Sequence, residues 1–335
     1  MDSKTCAVCN SNKLRSIEYK NDWSELFNDM TILVCDDCGF GRSLPKIDSK
    51  SILDFYQNVY RSKNSPHYVD FSKKISNPYF YRGRSISQLL LGYQYLHYKK
   101  KYNFLDIGAG LGKSFISAKE IFNDNVNLNA IEEDKEAKKY YRQHFKDVTI
   151  GSSISDFNNI MDIILMSHSL EHFDIDDMQD LFKKIHNAMA ENGILIIEVP
   201  NDDFRDYDFE KNRLKDTPHL SFFSLESLKK MLETLDFELC FIGPAFSLKE
   251  DIYSQKNKTL NQPKIILLLR NVLQVLGLHT LLARWKLNLY LKIRKNFGRD
   301  DFHKNINFQY NGNRSVLRCV LRKKSLNNSR YEKEK

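Results

Sequence analysis

The sequence predicts an α/β protein: an open, mostly parallel sheet with helices on both faces, preceded by a small segment held by a metal. Three observations predict it. A strand, a glycine-rich loop and a helix follow one another near residues 104–113. Apolar runs of strand length then alternate with helical stretches to about residue 245, the pattern of parallel strands joined by helical crossovers. Four of the six cysteines lie in the first 38 residues, as two CxxC pairs.

The chain has 335 residues, which suits one large domain with additions or two domains. Hydrophobic residues are 41% and charged residues 28%, ordinary values for a soluble globular protein. The first residues, MDSKTCAVCN, hold no apolar signal core, so a cytoplasmic location is expected. From Phe241 onward there are 20 Lys and Arg against 6 Asp and Glu, a net of +14, so the first 240 residues carry a net of −6. A basic C-terminal quarter suits a phosphate-bearing partner or a solvated face.

The cysteines read Cys6-x-x-Cys9 and Cys35-x-x-Cys38. Each pair can turn two thiolates to one side of a tetrahedral ion, so a closed structural zinc site is expected, with Gly39 easing the second turn. Such a site would stabilise a segment too small to bury much apolar surface. Cys240 and Cys319 stand alone in apolar runs and are expected to be small core residues. Residues 49–100 are rich in tyrosine and are expected to be helical, broken at Ser65-Pro66 and Asn77-Pro78. Their aromatics suit amphipathic packing or a lid over a ligand.

The glycine loop follows Phe104–Ile107 and reads Asp106-x-Gly108-x-Gly110-x-Gly112. A dinucleotide fingerprint needs its third glycine at 113, which is Lys. An aspartate just before the loop suits a ligand with a cationic amino-acid end better than a pyrophosphate. The next strand ends at Glu132-Glu133, where an acid can accept two ribose hydroxyls. VTIGSSISDF is a third short strand and turn, and MDIILMSHSLEHF a fourth whose nearly continuous apolar run suits burial on both faces. A helix is expected over 176–190, then a fifth strand in GILIIEVPN opened by an Asn192-Gly193 turn. FELCFIG and SVLRCVLRKK are the sixth and seventh. Between them Ser224 caps a helix that sets Leu225, Leu228 and Met231 on one face.

The DxGxGxG loop, the acidic strand end, SLEHF after the fourth strand and GILIIEVPN at the fifth together resemble class I S-adenosylmethionine-dependent methyltransferases. The resemblance covers roughly residues 100–245 and rejoins near 314–324. It implies a Rossmann-like seven-stranded sheet, mostly parallel with the last strand antiparallel. It also implies that Asp106, Gly108, Gly110 and Gly112 hold the methionine end of the cofactor. Glu132 would take the ribose, Ser152 or Ser153 would lie near the adenine, and His168 would line the cofactor side of its loop. The plain alternative for His168 is a strand end seen only by solvent. With the N-terminal cysteines, the chain is similar to sugar C-methyltransferases of deoxysugar pathways and to enzymes of surface-polysaccharide clusters. The implied acceptor is a sugar, nucleotide sugar or glycan.

Methyl transfer from a sulfonium needs alignment of the nucleophile and often removal of its proton. Candidates belong where the fourth and fifth strands end. His172 and His219 stand there, with His219 the expected general base and a capping or packing role the alternative for His172. The similar C-methyltransferases read HEHLSYFS where this chain reads DTPHLSFFS, so Pro218 replaces a glutamate. One base suffices for a hydroxyl, so O-methylation is expected over C-methylation. The chain is also too short for the second Rossmann-like half of those enzymes. An rRNA or other nucleic-acid methyltransferase is the competing class, disfavoured because SHSLEH stands where an Asn/Asp-Pro-Pro-Tyr motif would be.

The expected organisation is a zinc-ribbon-like segment over 1–48, a helical linker or lid over 49–100, and a core over 101–246 and 313–325. A helical basic insertion takes 247–312 and a disordered tail 326–335. Within the insertion, 262–297 combines Trp285 with Arg284, Lys286, Lys292, Arg294 and Lys295. It suits packing on the core or a second subunit, or peripheral contact with an anionic membrane face.

Overall fold

The structure is a computed structural model, and it describes residues 4–19, 24–68, 83–206, 218–245 and 316–324. The basic insertion and the tail lie outside the described residues, as does Thr217. No helix among the described residues is long and apolar enough to cross a membrane.

A seven-stranded sheet forms the core. Its strands are β4 (Tyr102–Ile107), β5 (Val126–Ile131), β6 (Val148–Gly151), β7 (Met161–Ser167), β8 (Met189–Pro200), β10 (Phe237–Ala245) and β11 (Val316–Lys323). They run in the order β10-β11-β8-β7-β4-β5-β6. Strands β8, β7, β4, β5 and β6 are mutually parallel, and β11 is antiparallel to both its neighbours. This is the expected α/β sheet.

Alternation along the strands feeds two cores, since successive side chains point to opposite faces. Ile163, Leu165, Ile194 and Ile196 meet helices α2 (Gly83–Tyr93), α3 (Lys113–Phe122) and α4 (Lys135–His144) on one face. Ile164, Met166, Leu195 and Ile197 meet α5 (Ile175–Ala188) and α6 (Leu225–Glu233) on the other. In α5 the buried Met178, Leu181, Phe182 and Ile185 form one stripe, and the Asp174 side chain caps the first turn. In α6 the buried stripe is Leu228, Met231 and Leu232, while Leu225 is exposed. The three-apart spacing placed Leu225 inward; the i, i+3, i+4 rule selects Leu232 instead.

Four further expectations shift. The helix over 176–190 ends at Ala188, and β8 begins at Met189. Asn192, at φ +59°, sits in an irregularity within β8 rather than in a turn before it. Cys319 is fully buried, but Cys240 is partly exposed because β10 is an edge strand. Residues 94–101 are not helical; the described helical parts of 49–100 are α1 (Ser49–Asp54), a π-type turn over Phe55–Val59, and α2.

The N-terminal segment forms β1 (Leu14–Glu18), β2 (Thr31–Cys35) and β3 (Gly41–Leu44), an antiparallel sheet. A fourth strand, β9, is only Ser221–Phe222 and comes from the loop just after His219. Around this joint lies a third core. Tyr19, Phe27, Ile32 and Val34 from the segment meet Phe55 from the π-type turn and Phe204, Leu220 and Phe222 from the core's loops.

Candidate functional site

The carboxyl ends of β4, β5, β6, β7 and β8 share one edge, where ligands bind in sheets of this kind. At the end of β4, Gly108 (φ +76°) donates its N–H to Ile131 O, and a Cβ there would stand 2.4 Å from Ser169 Oγ. Gly110 (φ +55°) donates its N–H to Glu132 Oε2 at 2.7 Å. Glu132 Oε1 accepts from Glu133 N and Asp134 N, so one carboxylate pins the loop. Gly112 is turned another way: a Cβ there would meet Phe115 and Phe145, so its want of a side chain serves packing under the loop. Asp106 is buried, its Oδ2 accepts from Ser114 Oγ, and its Oδ1 has no hydrogen-bond partner. Burial, with the Glu132 charge adding to it, pushes Asp106 up to about 7, and burial raises Glu132 as well.

Ile131 pairs with Gly151, which sets Ser152 beside Glu132 along the edge. The backbone N–H of Ser152 and of Ser153 both donate to Asp156 Oδ2, as does Ser152 Oγ. Ser153 caps the short turn that follows. Over the glycine loop lies Arg61, just beyond the π-type turn. Its Nε is 2.8 Å from Asp134 Oδ2, and its Nη2 is 3.3 Å from where a Gly110 Cβ would be.

The histidines gather at the ends of β7 and β8. His168 (φ +55°) is not left to solvent: Nδ1 is 3.2 Å from Glu171 Oε1 and Nε2 is 3.6 Å from Glu198 Oε1. Burial alone would lower its pKa, but the two carboxylates outweigh this and hold it at about 9, a cation. Glu171 and Glu198 are fully buried and held well below the carboxylate range: burial opposes this, but His168 outweighs it at Glu171, and Arg318 together with His168 does so at Glu198.

His172 and His219 lie with ring centroids 5.1 Å apart, edge to face. Tyr56 Oη is 2.6 Å from His172 Nδ1, and Pro218 O is 3.1 Å from the same nitrogen. Burial lowers His172 to about 4, so it is neutral and a weak base at physiological pH. His219 Nε2 lies 4.0 Å from Glu171 Oε1, and its Nδ1 lies 3.8 Å from Asp202 Oδ2. Both Glu171 oxygens, Glu198 Oε1 and His219 Nδ1 are buried without a hydrogen-bond partner.

Residues 77–240 match the family model described as a methyltransferase domain. Over these residues the core is similar to that family. Its DxGxGxG loop, pinned by the acid at the end of β5, is the feature on which the resemblance to S-adenosylmethionine-dependent methyltransferases rests. Comparison with curated proteins gave no match. Among solved structures, the chain is similar to phosphoethanolamine N-methyltransferase 2 of Haemonchus contortus, at 13% identity and TM-score 0.48. That alignment covers 85% of this chain and 63% of that one, so this chain spans under two thirds of that enzyme's length. It is similar to the plantazolicin methyltransferase BpumL at 15% identity and TM-score 0.48, over 82% of this chain and 95% of that one. It is also similar to the cyclopropane synthase MmaA2 of Mycobacterium tuberculosis, at 16% identity and TM-score 0.44, over 71% and 84%.

This edge of the sheet fits a cationic ligand. Asp106 Oδ1 is buried and the Glu132 carboxylate half-buried beside the glycine loop, where a positive group would offset their desolvation. The four N-terminal cysteines fit a tetrahedral ion. Cys6 and Cys38 Sγ are 3.6 Å apart, Cys9 and Cys35 Sγ are 3.5 Å apart, and all four lie within 4.8 Å of one another. Bonds of about 2.3 Å to zinc place thiolates roughly 3.8 Å apart. Both pairs share one turn: Asn10 N donates to Cys6 O and Gly39 N to Cys35 O, and both donors have positive φ.

The geometry adds residues that spacing did not single out: Tyr56, Arg61, Glu171, Glu198, Asp202 and Arg318. A signal existed for two of them. Glu198 is the one charge inside GILIIEVP, and Arg318 interrupts an apolar run in the seventh strand. Charges inside buried strands demand partners.

Proposed function

We propose that this methyltransferase transfers a methyl group to a hydroxyl of a sugar, nucleotide sugar or glycan intermediate, with His219 as the general base. The observation that carries the reading is the unmet demand for hydrogen-bond donors beside His219. Both Glu171 oxygens and Glu198 Oε1 are buried acceptors, with His219 Nδ1 buried beside them, and none of the four makes a well-formed hydrogen bond. Glu171 and Glu198 already have cations in His168 and Arg318, and the N–H groups of His168 and Arg84 stand 3.2 and 3.3 Å away without forming hydrogen bonds, so what the carboxylates lack is well-aligned donors rather than positive charge. A polyhydroxyl acceptor brings donors.

When bound, S-adenosylmethionine supplies the electrophilic methyl carbon. Asp106, Gly108 and Gly110 would hold its amino-acid end, Glu132 its ribose, and Ser152 or Ser153 would stand near its adenine. His219 takes the acceptor's proton; the more enclosed and weakly basic His172 fixes the loop and helps orient the acceptor. Pro218 lends only its carbonyl, to Tyr56 and His172, so the second carboxylate that carbanion formation would use is missing at this position. Zinc at Cys6, Cys9, Cys35 and Cys38 is structural in this reading.

Labelled-methyl assays on nucleotide sugars and glycans, with RNA as the comparison, test the reading. The label is expected on a sugar oxygen, located by NMR. Label on carbon, or on RNA alone, refutes it. His219→Ala should lower kcat at least a hundredfold with cofactor affinity kept; full activity removes the base assignment.

A further inference from the structure

We infer that the four-cysteine segment is a working part of the acceptor site: strand β3 ties together the two loops that present His172 and His219, with Ser43, Arg42 and Tyr19 as positioning residues. The inference rests on the reading that the acceptor binds between these histidines.

The loop bearing His219 is held by its own main chain. The carbonyl of His219 accepts from Ser43 Oγ at 2.9 Å and from Tyr19 Oη at 3.0 Å. Ser43 N donates to Leu220 O at 2.9 Å, and the β3–β9 pairing continues with Arg42 opposite Ser221 and Gly41 opposite Phe222. Three residues of one short strand, with Tyr19 beside them, thus grip the histidine's carbonyl and the three residues after it. The His172 loop is held by the same strand. Arg42 Nη2 reaches Asp174 Oδ1 at 3.0 Å, two residues past His172, and also pairs with Asp176. The two loops are joined directly as well, through Leu220 N to Glu171 O and Ser221 Oγ to Phe173 O.

The strand is in turn fixed by the cysteines. Cys35 ends β2, Cys38 precedes β3 by three residues, and Cys38 O accepts from Ser224 Oγ at the cap of the next helix. Removing the ion would free both turns and with them the start of β3. A purely structural staple would have no reason to place its edge strand on the carbonyl of the candidate base. A hydroxyl bond from two side chains to one carbonyl instead fixes where the imidazole stands, and misplacement by about 1 Å costs about a hundredfold in rate.

The test uses the full chain carrying Ser43→Ala, Tyr19→Phe and both together. Each change keeps the packed body of the side chain and removes one hydroxyl. Imidazole signals of His219 and His172 are recorded by NMR in the zinc-loaded protein, and again after zinc is withdrawn from the wild type by chelation. The expected result is a shift of the His219 signals and of the pH midpoint they report, larger in the double variant and reproduced by chelation. With an acceptor in hand, kcat falls about tenfold per hydroxyl and about a hundredfold for the pair, while the cofactor Kd is unchanged. Rescue of kcat by Ser43→Thr, which restores the hydroxyl, is expected too. Unshifted imidazole signals in a folded double variant overturn the inference, and so does a lowered Tm with kcat unchanged. The NMR arm needs no acceptor, so failure to find a sugar substrate would count against the proposed function and leave the result at His219 readable.

Discussion

Replacing Arg318 with Met tests the charge network beneath the acceptor edge. Arg318 and Glu198 face each other across β11 and β8, and neither side chain is exposed. Arg318 Nε donates to Glu198 Oε2 at 2.7 Å. Removing one partner of a buried pair costs about 3–5 kcal/mol, because the other charge stays in the interior. Two neighbours soften the loss: Arg84 Nε is 3.3 Å and His168 Nε2 is 3.6 Å from Glu198 Oε1. About 3 kcal/mol is therefore expected, a fall in Tm of roughly 6–12 °C at about 2–4 °C per kcal/mol. The double variant Arg318→Met with Glu198→Met should recover most of this, since an apolar pair of similar volume removes both desolvation costs. The sign with pH follows. In the wild type, Glu198 is held below its unfolded pKa, so its contribution is present above that value and lost as pH falls. In Arg318→Met the carboxyl is raised instead, so the penalty is largest at alkaline pH and shrinks toward pH 5. Urea melts at pH 5 and pH 8 measure both effects. A double variant as unstable as the single one refutes the reasoning, as does a penalty that grows in acid.

Other outcomes follow from the cofactor edge. Asp106 sits near 7 without a cationic ligand, so binding a cation releases a proton, and the cofactor Kd should tighten about tenfold from pH 6 to pH 8. Calorimetry showing no pH dependence, or the same dependence in Asp106→Asn, contradicts this. Gly108→Ala meets both positive φ and Ser169 Oγ at 2.4 Å, and should cost about 2 kcal/mol in urea melts, partly recovered when Ser169→Ala is added. Arg61→Ala removes the partner of Asp134 over the glycine loop and should weaken cofactor binding about tenfold; unchanged affinity would show that the arginine does not close that side. Cys38→Ser should lose the bound zinc, counted by elemental analysis, and lower Tm; full zinc retention would count against the four-cysteine site.

The sheet was legible because its signals are local and repeated. Continuous apolar runs of strand length, each followed by a helical stripe and capped by residues such as Asp174 and Ser224, leave few other arrangements. The cysteine turns were legible because two pairs with equal spacing repeat one conformation. Errors arose where one residue decides the outcome. Asn192 reads as a turn, yet β8 pairs through it with an irregularity; Leu225 reads as core from its spacing, yet lies on the first turn, beyond the buried stripe.

The candidate acceptor site was legible only in part, for a physical reason. His172 and His219 were reachable because each follows a strand end. What holds them was not, since β9 is two residues long and carries no period of its own. A strand that short exists only because β3 pairs with it, and β3 lies about 180 residues earlier in the chain. Buried polar groups give a better clue than periodicity here. Ser43, Glu171, Glu198, Asp202, Ser221 and Arg318 are all under 6% exposed, against the usual placement of such residues. Each must be hydrogen-bonded, paired or reserved for a ligand. Ser43, Ser221 and the Nε and Nη2 of Arg318 have partners within the protein; Arg318 Nη1, both oxygens of Glu171 and one of Glu198 do not. Those carboxylate oxygens lie beside His168 and His219, where the proposed acceptor would find bonds to make.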